Sequence, residues 1–119
     1  NVESLPHALT AAVLSYEGGI GVRAGCFCAH TYVKSLLGLS DDEARKYELE
    51  ILNRDRSHLP GAVRASFGLY NTLNEAEAFV AMVRRIAGGQ YRRDYVLNKE
   101  RGEYSAPDLS YDFEQYYRF

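Results

Sequence analysis

What this sequence lacks narrows it before any motif is read. Its 119 residues include only two cysteines, Cys26 and Cys28, with a single residue between them. That spacing is no disulfide framework, and a cytoplasmic compartment fits it best. No apolar run approaches membrane-spanning length, so a transmembrane helix is not expected. The first residues do not read as a signal peptide. Basic charge is not in excess: 14 Lys and Arg stand against 16 Asp and Glu, a net charge of −2. Arg84-Arg85 and Arg92-Arg93 are short pairs near acidic residues, not a basic stripe, which argues against a nucleic-acid partner. Internal repeats are absent. So is an initiator methionine: Asn1-Val2 runs almost at once into a helix signal. The expectation is a cut edge of a longer chain.

What is there suits one compact domain with a modest core and little room for a large cofactor pocket. Ser4 as N-cap and Pro6 in the first turn predict a helix carrying Leu5, Leu9, Ala12 and Val13 to about residue 16. Gly18-Gly19 ends it. Residues 20–22 are a short buried strand candidate. A second helix is expected over 31–37, broken by Gly38. Ser40 with Glu43 is a capping box for a charged helix over 41–53, whose sparse apolar positions put it on the surface. Residues 54–60 read as a loop. Residues 62–69 read as a strand with Val63, Ala65 and Phe67 on one face and Arg64 and Ser66 on the other. Thr72 with Glu75 is a second capping box, opening the best helix of the chain; Phe79, Val80, Met82, Val83 and Ile86 form its apolar stripe. Gly88-Gly89 stops it. From Gln90 the composition changes, and six of the ten tyrosines follow. Residues 95–97 and 103–105 are expected to pair as a hairpin. Residues 107–119, aromatic and acidic, fit either a partner-draping segment or a poorly ordered terminus. The mixture predicts an α+β fold: a small antiparallel or mixed sheet with helices packed on one face.

The chemistry concentrates in Val22-Arg23-Ala24-Gly25-Cys26-Phe27-Cys28-Ala29-His30. A cysteine acts as a nucleophile through its thiolate, which a neighbouring cation stabilises. Arg23 is the nearest cation in sequence, His30 follows Cys28, and Gly25 permits a sharp turn between them. Against this stand two other readings. Cys26 and Cys28 can be small apolar fillers, or they can join His30 in a metal site with His58 or His7. Three ligands within five residues are unusual spacing, which favours the thiol over the metal. Arg64, flanked by small and apolar residues, asks for an anion, and its planar fork matches a carboxylate. An internal ion pair is the alternative.

Together the two segments resemble a family. Arg23-Ala24-Gly25-Cys26-Phe27-Cys28 is similar to the Arg-x-Gly-x-x-Cys loop of class V aminotransferase-fold enzymes, among them cysteine desulfurases and selenocysteine lyases. The Gly-Cys-Phe-Cys variant is also similar to the desulfurase-like part of molybdenum cofactor sulfurases. Arg64-Ala65-Ser66 with Tyr70-Asn71-Thr72 resembles the strand that follows in that family and leads into a capped helix. The resemblance covers roughly residues 1–86. It implies that residues 1–89 are the small C-terminal domain of a fold-type-I enzyme, with 90–119 a Tyr-rich extension. It implies pyridoxal 5'-phosphate bound through a Schiff-base lysine of a large domain, an amino-acid substrate, a sulfur-acceptor protein and a homodimer. Cys28 aligns with the persulfide-carrying cysteine, Arg64 with the carboxylate-clamping arginine and Arg23 with a second active-site arginine.

Three departures accompany the resemblance. Lys34, Lys46 and Lys99 are the only lysines and none sits in the family's lysine motif. The chain alone is therefore expected neither to hold the cofactor nor to turn over substrate. The loop reads Cys-Phe-Cys where many desulfurases have His-His-Cys, so either cysteine is a candidate sulfur carrier; spacing from Arg23 favours Cys28. The stretch between Cys28 and Arg64 is long, and residues 40–59 read as an insertion. The alternatives are a class V aminotransferase or lyase without cysteine chemistry, and a small metal-binding or interaction module.

Overall fold

The structure, a computed structural model, describes residues 1–109. Helix α1 (His7–Gly18) is followed by strand β1 (Arg23–Gly25), α2 (His30–Leu36), α3 (Asp41–Leu52), β2 (Ala62–Arg64) and α4 (Leu73–Ala87). A hairpin of β3 (Val96–Asn98) and β4 (Glu103–Ser105) completes it. β1 pairs antiparallel with β2, and β3 with β4, in two separate two-stranded sheets. The α+β class holds, and α1 is its centre, lying against β1, β2, β4 and α4. No helix among the described residues is long and apolar enough to cross a membrane.

The core is Val13 and Leu14 of α1 against Met82 and Ile86 of α4, with Ile20, Val22, Val63, Phe79, Val83, Tyr91 and Tyr95 packed around it. A helix enclosed by neighbours needs apolar groups on several sides, not one stripe. Accordingly α1 buries Thr10 as well as Ala12, Val13 and Leu14. The Thr10 hydroxyl is satisfied by donating to the Pro6 carbonyl at 3.2 Å.

Local chemistry accounts for the helix ends. Both capping boxes form: Ser40 with Glu43 opens α3 and Thr72 with Glu75 opens α4. As expected, α3 buries nothing. Gly19 takes a left-handed φ of 62° at the end of α1. The first helix start differs from expectation. The N-cap is Pro6 without a side-chain bond, and Ser4 sits at φ 65° in the preceding turn.

Strand limits also differ. Residues 20–22 are not a strand, because the Ile20 N–H folds back onto the Leu14 carbonyl at 2.9 Å as part of the helix end. The strand begins three residues later, at Arg23. β2 stops at Arg64 rather than near residue 69. There the Asn71 side chain accepts from the Gly68 N–H at 2.7 Å, and the Asn71 N–H returns to the Gly68 carbonyl at 3.1 Å. That closed turn leads into the Thr72 cap and leaves no extended backbone to pair.

The hairpin is anchored to α1 through Glu17, whose side chain is 14% exposed. Its carboxylate accepts from the Arg92 backbone at 3.0 Å and from the Tyr95 hydroxyl at 3.1 Å. Burial, then the Glu17 carboxylate, pushes the Tyr95 phenol well above its ordinary range. Of the tail read as 107–119, residues 110–119 lie outside the described residues.

Candidate functional site

The β1–β2 register builds the site. Arg23 is the direct cross-strand partner of Arg64, Ala24 of Val63 and Gly25 of Ala62. Direct partners project from the same face of an antiparallel pair. Val63 packs toward the core, so the alternate positions Arg23 and Arg64 share the outer face, and both are exposed. Neither pairs with a carboxylate among the described residues. Two like charges directly opposite one another repel. An arrangement of this kind is relieved by an anion held between the two forks.

Strand β1 is held in place by close backbone approach. Gly61 is buried; a Cβ there would lie 2.6 Å from Nε2 of His7 and 2.9 Å from the Gly25 Cα. Only glycine lets the two strands seat on α1 at this distance. On the other side of β2 the Asn1 side chain donates to the Gly61 carbonyl and accepts from the Val63 N–H, both at 2.9 Å.

After β1 the chain turns sharply. Gly25 has φ 108°, and Phe27 and Cys28 both take left-handed values of 52° and 59°. The turn closes with the Ala29 N–H on the Cys26 carbonyl at 2.8 Å. Successive left-handed residues that are not glycine are strained and cluster at functional loops. The turn gives the two cysteines different surroundings. Cys26 is half-buried and its thiol donates to the Pro60 carbonyl at 3.4 Å. Burial pushes that thiol up from its ordinary value, which suppresses the thiolate. Cys28 is exposed. The guanidinium carbon of Arg64 lies 5.2 Å from the centroid of the Phe27 ring. Arg23 and Arg64 stand at one end of the small sheet and the Gly25 turn leaves from the other; the Phe27 ring of that turn lies by Arg64, and Cys28 follows it, exposed.

Cys26 faces elsewhere. Together with His7, His30, Arg56, Arg101 and Tyr104 it lines a cleft of about 620 Å³ between α1, the loop before β2 and the β3–β4 hairpin. His7 donates from Nε2 to the Leu59 carbonyl at 3.1 Å, and burial holds its pKa below the ordinary histidine value. Sequence reading singled out neither this cleft nor Arg56, Arg101 and Tyr104. Its walls come from segments far apart in the chain, so no local pattern marks them. The alternative metal constellation is not seen: among the described residues no group of three or more His, Cys, Asp or Glu is disposed to hold a metal ion. Cys28 is not among the residues that Cys26 and His30 join in the cleft.

No lysine completes the cluster. Lys34 pairs with Asp41 at the start of α3, Lys46 lies within α3, and Lys99 lies in the turn between β3 and β4. The residues of this chain do not fit a Schiff-base cofactor site.

No protein-family profile matches the chain, and no solved structure does. The sequence is similar to the molybdenum cofactor sulfurase of Anopheles gambiae, 31% identical over 113 residues. The match covers 90% of this chain and 14% of that protein. The chain thus spans a small part of the length of the curated relative it matches, and the likeness relates it to one segment of a sulfurase.

Proposed function

We propose that this chain supplies the sulfur-acceptor and carboxylate-binding half of a pyridoxal-phosphate-dependent site in a larger sulfur-transfer enzyme. The reaction class is that of cysteine desulfurases and selenocysteine lyases. The observation that carries the reading is the Arg23–Arg64 register. Two arginine side chains, neither paired with a carboxylate among the described residues, share one sheet face, and the strand of Arg23 runs on into a turn that exposes a thiol.

Each residue then has a role. Arg64 binds the substrate carboxylate through its planar fork. Arg23 adds positive charge on the same face, favouring a bound anion and a developing thiolate. Cys28, the exposed thiol, attacks the sulfur of a bound cysteine. The S–S bond forms as the C–S bond breaks, the electron pair stays with the alanine carbon, and Cys28 carries the persulfide. Accepting electron density at that carbon is the chemistry pyridoxal phosphate supplies. We assign the cofactor and its lysine to another part of the larger protein, since no lysine here fits. Residues 1–89 would form the small domain, and 90–119 an extension whose described part is docked through Glu17. A sulfur-acceptor protein would discharge Cys28, and the whole enzyme would act as a dimer.

The test uses the full-length protein that carries this chain, with pyridoxal phosphate and cysteine. Persulfide on Cys28 and sulfide release are expected, both lost in Cys28→Ala. Sulfide release that survives this change overturns the assignment of Cys28. Arg64→Ala is expected to raise the cysteine KM; an unchanged KM removes Arg64 from the site.

A further inference from the structure

The ring of Phe27 has an unusual address. Its residue is one of two consecutive left-handed positions, a conformation that bulky L-residues rarely adopt. Phe27 is nevertheless half-buried, and the Arg64 guanidinium carbon lies 5.2 Å from its ring centroid. That distance falls within the range of cation–π attraction. A guanidinium that contacts one ring still has further N–H donors in its fork of five, and those are the donors a carboxylate uses. The contact also opposes the like charge of Arg23 across the strand pair, which otherwise drives the Arg64 side chain away. Holding a long side chain in its binding rotamer lowers the ordering cost on association.

We propose that Phe27 is the positioning residue of the anion site: its ring holds the Arg64 fork in place to receive a small carboxylate. The inference rests on the reading of Arg64 as an anion-binding residue, and it adds a specific function to the middle residue of the Cys-Phe-Cys turn. An aromatic side chain is required at 27, and an aliphatic one of similar bulk does not replace it.

The test is malonate binding to the 119-residue chain, measured by calorimetry at constant ionic strength. Phe27→Leu is expected to weaken malonate about two- to fivefold, the equilibrium equivalent of one exposed cation–π contact. Phe27→Tyr is expected to bind as the wild type does, and Arg64→Gln to bind far more weakly. Circular dichroism confirms the fold of each variant, and Phe27→Met serves if Phe27→Leu does not fold. Absent binding to the wild type, or unchanged binding by Arg64→Gln, overturns the Arg64 reading and this proposal with it. Loss in Arg64→Gln with wild-type affinity in Phe27→Leu overturns the Phe27 proposal alone. So does equal weakening by Phe27→Leu and Phe27→Tyr, which marks a merely structural ring.

Discussion

Removing one arginine of the facing pair should relieve repulsion in the free protein and weaken anion binding at the same time. Arg23 and Arg64 are direct partners, so their Cβ atoms are separated by roughly 5 Å. Their charged ends, on longer stems, are taken at roughly 7 Å. In water two unit charges at that distance repel by about 0.6 kcal/mol. Screening leaves roughly 0.5 kcal/mol at 10 mM salt and under ~0.1 kcal/mol at 1 M. Arg64→Gln also loses its contact with Phe27, so the single changes are not comparable; the double-mutant cycle isolates the pair. The assay is thermal unfolding of the wild type, Arg23→Gln, Arg64→Gln and the double variant at both salt concentrations. The expected coupling is unfavourable at low salt, about 2 °C in Tm, and vanishes at high salt. Malonate should raise the Tm of the wild type by mass action and reduce the repulsion. A coupling of zero or favourable sign at low salt refutes the reasoning: the side chains would then splay apart and form no joint anion site.

Thiol reactivity should separate the cysteines: at neutral pH Ellman's reagent is expected to modify Cys28 first, with Cys26 following only as the cleft opens. Equal rates in Cys26→Ser and Cys28→Ser variants would refute the assignment of the two environments. Burial lowers the pKa of His7, so the unfolded chain binds the proton more tightly and stability falls as pH drops below about 6.5. The Tm loss between pH 7.5 and 5.5 should be smaller in His7→Gln, whose amide can still reach the Leu59 carbonyl; an equal loss contradicts this. Thr72→Ala should destabilise the domain by about 1 kcal/mol, because its cap starts the helix that carries Met82 and Ile86. Ser40→Ala should chiefly fray α3, which buries nothing, and leave the cooperative urea midpoint almost unchanged.

The elements legible in the sequence were those set by neighbours within a turn. Both capping boxes and the helix stops at Gly19, Gly38 and Gly88 depend on side chains and dihedrals a few residues apart. The misplaced elements turned on backbone closures that residue type alone does not announce. Strand β1 begins at Arg23 because Ile20 is tied to the end of α1, and β2 ends early because Asn71 closes a turn. Ser4 looked like a cap, but Pro6, next to the first helical residue, took that place. The cleft beside Cys26 was invisible because its lining residues span positions from His7 to Tyr104.

The amino-acid sequence by itself determined the α+β class, most helix limits and the pair of motifs around Cys28 and Arg64. These follow from periodicity and capping, and from residue types within short windows. Only the tertiary structure decided how the motifs meet. Antiparallel pairing in one register puts Arg23 opposite Arg64, and a shift of one residue would send one of them to the other face. The same turn geometry separates two cysteines two residues apart, burying the Cys26 thiol against Pro60 and leaving Cys28 exposed. Register and burial are properties of packed strands, and no single segment carries them alone.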